Sequence, residues 1–518
     1  MAMQVDTARP PSHDRLDEVV ALVLQSRRRM IDAWEATSAL ESLGYTDARV
    51  QREFGMSDAR AAGEYVYAQA RRQPFSDKER WAPLNLVPPG ALIARSAAST
   101  FVYAVPWLLA FLGQAVSPNV MRLPSRIAPP LALALMFSLV ASGGMVQAIA
   151  RRAEFYVGLK QIAMARHVVH ALLRIGIALV LGVAFLVLVV GWYFRLFSWG
   201  PLVLGVDAFV AMSLLWMVCG TFAVRLQQWR VAVAFIAGLV AFAIVRAAGA
   251  DAVTAQFVAV VTVLIIAAVQ MPMVFAEHHT WLPRLPRGVT MPRMSVMVYW
   301  TVPYFWYGTV YFAFLFADRL AAATAGLGNG GAFGVPAQYG LGMELALLTL
   351  LVAASGAEVA GALFARAFTQ EAVHPIAGQV AALSMRLRRH HARAVALAVA
   401  VFVVTAVAIA AGAHRVLPGA LDAQVWRTLI VGDLGYVCLA VGLTNVLALF
   451  GTQRPWVVVR EFTAALGLNI VTGYVLSHVF GRFHAVDGLL LGALCFAVRS
   501  FLAVRKTLAH VDHAYAVA

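Results

Sequence analysis

The sequence predicts an all-α polytopic membrane protein with twelve transmembrane helices in two pseudo-symmetric six-helix bundles. Three observations support this prediction: an apolar composition, a regular series of long apolar spans, and matching motifs in the two halves. Of the 518 residues, 61% are hydrophobic and 13% are charged, and the mean hydropathy is +0.75. Soluble proteins typically carry about 25% charged residues, so the composition excludes an ordinary soluble protein.

The first 88 residues differ from the rest. They hold 12 Lys/Arg against 13 Asp/Glu, contain no apolar run of spanning length, and lack the basic-then-apolar pattern of a signal peptide. Thr46-Asp47 and Ser57-Asp58 are typical residues at the start of a helix. We therefore expect residues 1–88 to form a small helical domain in the cytosol.

Twelve windows of about 20 apolar residues follow, bounded by charged residues or by Pro and Gly. They lie near 91–115, 127–150, 171–192, 201–223, 230–249, 252–275, 295–317, 340–365, 393–413, 428–450, 456–480 and 484–504. The predicted domains are therefore 1–88, the cytosolic helical domain; 89–275, the first six-helix bundle; 276–294, a cytosolic connector; 295–506, the second six-helix bundle; and 507–518, a cytosolic tail.

The distribution of basic residues predicts the orientation. With a cytosolic N-terminus, the cytosolic loops hold eighteen Arg/Lys and the opposite loops hold eight. This asymmetry follows the positive-inside rule and places both termini in the cytosol. The same excess accounts for the net charge of +15, so the charge is no indication of a nucleic-acid partner.

Matching motifs in the two halves predict an internal duplication. The offset between matched motifs rises along the chain, from 197 to 213, 226 and 233 residues, as it would for two copies that differ in loop length. The matches are Val105-Pro106-Trp107 with Val302-Pro303-Tyr304, Val140–Gly143 with Ala353–Gly356, Asp207 and Gln227 with Asp433 and Gln453, and Ala252-Val253 with Ala485-Val486. Two parallel six-helix repeats form a transporter architecture, in which the substrate path runs between the bundles.

Several segments resemble the MOP flippase superfamily, to which MATE transporters belong, and particularly its PelG-like exopolysaccharide exporters. They are the Pro-Trp of the first span, "MFSLVASGGMVQAIARRAEFYVGLKQ" at 136–161, the Asp-Arg that ends span seven, and "HAVDGLLLGALCFAVRSFLAVRK" at 484–506. The resemblance covers about residues 95–506. It implies a bacterial inner-membrane protein that exports or flips an exopolysaccharide or a lipid-linked oligosaccharide.

Two other functions stay open. A cation-coupled multidrug antiporter with the same fold would show the same aromatic spans. A membrane glycosyltransferase is less expected, because such enzymes need acidic residues on sizeable outer loops, and the longest outer loop here, 320–339, is uncharged. No catalytic residue is predicted. A cytosolic glycosyltransferase is a possible partner of residues 1–88.

Ionisable groups inside spans are costly and usually face a bundle interior or water. Glu344 and Glu358 lie fourteen residues apart in span eight, nearly on one helical face, and are the predicted sites of H⁺ or Na⁺ coupling. The alternative is that Glu344 lies at the membrane surface and Glu358 pairs with a neighbouring helix. Three arginines near cytosolic span ends are candidates for binding a lipid-linked phosphate, or for contacting lipid headgroups: Arg95, Arg174 and Arg499.

An aromatic stripe in span seven is the predicted wall of the substrate path. Its members recur every three or four residues and so fall on one side of a helix: Trp300, Tyr304, Tyr307, Tyr311, Phe314 and Asp318. Trp107 is the counterpart in span one, and Pro106 and Pro303 are predicted hinges. Asp318 and Arg319 would mark the outer mouth, or simply form an interfacial ion pair.

The sequence indicates no cofactor and no metal site. The adjacent pairs His278-His279 and His390-His391 have no third ligand at a suitable spacing. The three cysteines lie far apart within apolar spans. There is no GxxxxGK[ST] motif, so the sequence predicts no P-loop for ATP.

Overall fold

The computed structural model describes residues 13–26, 30, 32–72, 88, 90–94, 96–98, 124, 126–159, 161–225, 227–276, 293–326, 334–373, 380–417 and 419–510. The all-α prediction is confirmed, because the described residues contain helices, turns and no strand. The N-terminal part holds four short helices: α1 His13–Ser26, α2 Ala33–Ser42, α3 Asp47–Phe54 and α4 Ala59–Arg72.

Capping residues set the boundaries of these short helices. Asp32 precedes α2 and accepts a hydrogen bond from the Glu35 backbone N–H at 2.9 Å. Gly55 ends α3 with φ of +67°, in the left-handed region that favours glycine. The four helices share a small apolar core of their own that includes Leu40 and Val66, and the cytosolic location of this part stays a prediction.

Eleven long helices follow in the described part of the chain. They are α5 Ala128–Gly158, α6 Ile162–Tyr193, α7 Trp199–Thr221, α8 Trp229–Ala247, α9 Ala252–Val274, α10 Met294–Thr324, α11 Ala337–Val373, α12 Val380–Val416, α13 Ala423–Gly451, α14 Pro455–Val479 and α15 Ala485–Thr507. They correspond to predicted spans two to twelve. Most of span one, including Pro106 and Trp107, lies outside the described residues, so the count of twelve stays a prediction.

Ten of these helices are long and apolar enough to cross a membrane. The exception is α10, although it has 31 residues. Tyrosine and tryptophan count as weakly polar on a hydropathy scale, so the aromatic residues of α10 lower its mean. Helices α11 and α12 also run about ten residues beyond their predicted spans at the ends that face each other in sequence, because the basic segments there continue the helical hydrogen bonding past the apolar residues.

The helices form two bundles with the same packing order. In the first bundle, α5 packs on α6 and α7, α6 on α7, α7 on α9, and α8 on α9. In the second, α11 packs on α12 and α13, α12 on α13, α13 on α15, and α14 on α15. Each described pair in the first bundle thus has its counterpart six helices later. The duplication predicted from the motifs is therefore visible in the packing.

The bundles meet where α5 crosses α10. The two helices approach so closely that side chains are excluded: a Cβ on Gly308 would lie 2.3 Å from the Gly143 carbonyl oxygen, and one on Gly144 would lie 2.5 Å from the Phe305 carbonyl oxygen. Small residues permit such approach between membrane helices. These residues lie about midway along both helices.

A buried ion pair joins three helices of the second bundle. Asp318 and Arg319 in α10 are 0% and 6% exposed and lie 3.3 Å apart. The Tyr339 hydroxyl of α11 donates to Asp318 Oδ2 at 2.7 Å. Arg319 donates to the Met343 carbonyl oxygen of α11 at 3.2 Å and faces the Tyr436 hydroxyl of α13 at 3.5 Å. Every charged group here has partners, as burial in a membrane bundle requires.

The glycine seam generates a stability prediction. Gly308→Ala must push α5 and α10 apart, because the new methyl group meets backbone atoms that have no other position in a packed helix. We expect a loss of about 1–3 kcal/mol, measured as a lower midpoint of thermal unfolding in detergent. Gly182→Ala in α6 is the control, since nothing lies within 4 Å of its Cβ position. Equal midpoints for the two variants would contradict the close approach.

The buried pair generates a second prediction. Asp318→Asn keeps the shape of the side chain but leaves the Arg319 guanidinium without its counter-charge in the bundle interior. Breaking a buried pair costs about 3–5 kcal/mol, so the variant should unfold at a clearly lower temperature in detergent. Asp207→Asn, at an exposed position in α7, should leave the midpoint within experimental error. An unchanged midpoint for Asp318→Asn would argue against a charged pair.

Candidate substrate path

Glu358 of α11 interacts with charged side chains of the first bundle. Its side chain is exposed, although its neighbours Ala357, Val359 and Ala360 on α11 are buried. It interacts electrostatically with Arg151 and Glu154 of α5, in the other bundle. An exposed carboxylate within a membrane helix usually faces water or a charged partner, so Glu358 is a candidate residue of the substrate path.

The same interactions continue onto the aromatic helix. Glu358 acts electrostatically on Tyr307 and Tyr311 of α10. The charge of Arg151 also acts on Tyr304 and Tyr307. Side chains from α5, α10 and α11 therefore surround one polar region, on the half of the helices that the positive-inside rule places toward the cytosol.

Arg151 reaches across the seam. Its guanidinium lies 5.1 Å from the centre of the Phe450 ring in α13, and 3.5 Å from the Glu154 carboxylate in its own helix. The Phe450 ring in turn packs edge-on against Tyr304 at 5.1 Å and Tyr307 at 5.2 Å. A cation over an aromatic face is attracted to it, so Arg151 contacts the second bundle through the Phe450 ring.

Sequence reasoning missed Arg151 and Glu154 as functional candidates. Arg151 counted only as a basic residue of a cytosolic loop, because the predicted span ended at residue 150. The helix α5 continues to Gly158, and this continuation carries both side chains up to α10 and α13. The charged pair just past the span end was the available signal.

Glu344 lies in a second polar region, near the N-terminal end of α11. Its side chain is exposed, and it interacts electrostatically with Arg319. Fourteen residues separate Glu344 from Glu358, or about 21 Å along a helix that rises 1.5 Å per residue. The two predicted coupling carboxylates are therefore at different depths and do not form one ion site by themselves.

The aromatic stripe does not form one continuous open wall. Phe314 is fully buried and packs on Phe462 of α14 with ring centres 5.4 Å apart, and Tyr307 is 8% exposed. Tyr304 and Tyr311 are half-buried, while Trp300 is 57% exposed. Helical spacing placed these residues on one side of α10. Most of that side packs against other helices of the second bundle.

The expected position of Asp318 and Arg319 at the outer mouth is corrected by the structure. Both side chains are enclosed among α10, α11 and α13, where their hydrogen bonds are satisfied. Neither side chain is therefore exposed on an opening. The spacing of Asp318 from Phe314 correctly predicted that both lie on one side of α10. That side is packed inside the second bundle.

The remaining predicted residues have other surroundings or lie outside the described part of the chain. Arg499 in α15 pairs with Glu461, and Arg174 in α6 is exposed. Pro303 lies inside α10, which stays helical through it, and its role as a hinge stays a prediction. Arg95, Trp107 and Pro106 lie outside the described residues.

Three further polar side chains, Asn469, His391 and Asn445, form hydrogen bonds to neighbouring helices. Asn469 of α14 donates to the Phe314 carbonyl oxygen of α10 at 3.1 Å. His391 lies 2.9 Å from the Asn445 side-chain oxygen, and Asn445 donates to Ser500 at 2.9 Å. These hydrogen bonds join helices, as polar groups in membrane bundles commonly do. No group of three or more metal-ligating side chains occurs in the described ranges.

Comparison with known proteins gives a clear result only at the level of structure. No protein-family model matches the chain, and no curated protein matches its sequence. A MATE in the straight conformation is 14% identical, with a TM-score of 0.59 over 82% of this chain and 98% of that chain.

Solved structures in two different conformations match as well. An outward-facing multidrug resistance MATE family transporter of the MOP superfamily is 14% identical, with a TM-score of 0.57 over 85% of this chain and 100% of that chain. An inward-facing one is 15% identical, with a TM-score of 0.51 over 84% of this chain and 97% of that chain. The chain is therefore a multi-span membrane protein with the fold of the MATE transporters of the MOP superfamily.

Proposed function

We propose that the chain is a transporter that exports or flips an exopolysaccharide or a lipid-linked oligosaccharide by alternating access between its two bundles. One observation carries this proposal: Glu358 of the second bundle is exposed and interacts electrostatically with Arg151 of the first. The solved structures that share the fold include both inward-facing and outward-facing conformations.

The mechanism follows from this charge arrangement. A proton or Na⁺ on Glu358 removes the negative charge that attracts Arg151, and it thereby weakens one contact between the lobes on the cytosolic side. The Arg151 contact with Phe450 then remains, and the narrow glycine seam permits one bundle to rotate against the other. Release of the ion restores the attraction and closes that side.

The half-buried Tyr304 and Tyr311 support a glycan substrate, because aromatic faces stack on sugar rings. The resemblance of the sequence to exopolysaccharide exporters supports it too. The second candidate is a cation-coupled multidrug antiporter, favoured by the exposed carboxylates Glu154, Glu344 and Glu358, which suit a cationic drug. No catalytic step is proposed for either function.

The proposed function also requires a particular membrane, orientation and partner protein. It places the protein in a bacterial inner membrane with both termini in the cytosol, on the basis of the excess of cytosolic basic residues. It assigns to residues 1–88 the docking of a cytosolic glycosyltransferase, which would deliver the growing glycan. On this domain Trp34 is 54% exposed and lies under the Arg60 guanidinium at 4.5 Å, a surface feature suited to a protein contact.

Glu358→Gln tests the coupling. The variant carries no titratable group at this position, so it should lose nearly all transport while its amount in the membrane stays normal. Glycan secretion by cells that express only the variant is the measurement. Glu371→Gln is the control, since Glu371 lies on the same helix and pairs with Arg386 at 3.1 Å, far from the seam. Normal secretion by Glu358→Gln would overturn the coupling role.

Reconstitution separates the two substrate classes. Proteoliposomes that contain the full chain should translocate a fluorescent lipid-linked oligosaccharide under an imposed pH or Na⁺ gradient, and should leave an organic cation such as ethidium unmoved. Liposomes with Glu358→Gln protein are the matched background. Gradient-driven ethidium movement without oligosaccharide movement would replace the glycan proposal by the drug antiporter.

A further inference from the structure

A buried carboxylate holds two arginine side chains at the edge of the second bundle. The Glu461 side chain in α14 is 5% exposed. Its Oε1 accepts hydrogen bonds from Arg460 Nε at 2.8 Å and Nη2 at 2.6 Å, and its Oε2 accepts one from Arg499 Nε of α15 at 2.5 Å. One glutamate thus fixes two guanidinium groups from neighbouring helices at a single place.

Arg460 lies on the lipid-facing side of α14. Its side chain is 71% exposed. It shares a helix face with Leu468, Val471 and Val475, which are 37%, 61% and 49% exposed and lie 8, 11 and 15 residues further along the helix, within an arc of about 80°. Exposed apolar side chains of this kind within a membrane span contact lipid tails, so Arg460 lies at one end of a lipid-facing surface.

Arg499 occupies the corresponding place on α15. Its side chain is 47% exposed. Val498 and Leu502 beside it are 51% and 59% exposed, and Leu494 is 47% exposed. The two arginines therefore lie side by side, at the ends of two adjacent lipid-facing helix faces.

The local charge balance favours an anion. Two guanidinium groups face one carboxylate, and the only other acidic residue between 451 and 510 is Asp487, at the opposite end of α15. Arg505 and Lys506, one to two turns further on, are also exposed. Glu461 engages both Nε atoms and Arg460 Nη2, which leaves Arg460 Nη1 and the two terminal nitrogens of Arg499 as donors toward phosphate oxygens.

We propose that Arg460 and Arg499, held by Glu461, bind the phosphate of an anionic phospholipid in the cytosolic leaflet. The arginines lie among lipid-facing side chains, so the phosphate is supplied by a membrane lipid and not by dissolved phosphate. The site lies on the lipid-facing surface of the second bundle and does not include Glu358. It does not depend on the transported substrate.

Native mass spectrometry of the purified full chain tests this site. Delipidated protein in detergent is mixed with phosphatidylglycerol, and the bound lipid is counted. Arg460→Gln/Arg499→Gln should retain at least about fivefold less lipid than the natural chain, because both phosphate donors are lost. The charge-matched control, Arg389→Gln/Arg393→Gln, removes two exposed arginines of α12. An equal loss in the control would overturn the site.

Two further measurements separate the alternatives. Inorganic phosphate at the same concentration should leave phosphatidylglycerol bound, and its displacement of the lipid would overturn the lipid assignment. Glu461→Gln should bind less phosphatidylglycerol although its net charge rises by one, because the guanidinium groups lose their fixed orientation. Increased binding by this variant would show that charge alone attracts the lipid. Arg460→Lys/Arg499→Lys keeps the charge and should also bind less, which covers a glutamine variant that fails to fold.

Discussion

The close approach of α5 and α10 at their glycines is the constraint on which the arrangement of the two bundles depends. Gly143, Gly144 and Gly308 bring two backbones together near the middle of α5 and α10, and no side chain fits between them. Lipid tails are as apolar as leucine, so this packing, and not a hydrophobic driving force, holds membrane helices together. The contact is narrow, and it brings the continuation of α5 toward α11 and α13. The positions of Arg151 and Glu154 beside Glu358 follow from it.

Charged groups in this membrane protein fall into two classes that differ in their partners. Asp318, Arg319 and Glu461 are buried and hydrogen-bonded, and they join helices. Glu344 and Glu358 are exposed within their helix and interact with charges at some distance. An uncompensated charge in hydrocarbon is too costly to persist, so the exposed carboxylates need water around them. The distinction separates structural ion pairs from groups able to take up an ion.

The internal duplication has different consequences for structure and for function. The packing order of α5 to α9 recurs in α11 to α15, so both bundles solve the same packing problem. The ionisable residues are not duplicated in the same way. Glu358 has no acidic counterpart in the matched motif of α5. Glu461 has no acidic counterpart in α8, and Arg499 has no basic counterpart in α9. Two bundles with one packing plan thus carry different ionisable residues.

The sequence by itself determined the all-α class, the membrane location, the positions of the spans and the pairing of the two halves. These properties depend on composition and on local periodicity. Tertiary structure alone decided what each helix face meets. The stripe from Trp300 to Asp318 was correctly placed on one side of α10, yet spacing does not reveal whether a neighbouring helix or an open path lies there. Arg151 was missed for the related reason that its partners Phe450 and Glu358 are hundreds of residues away in the chain.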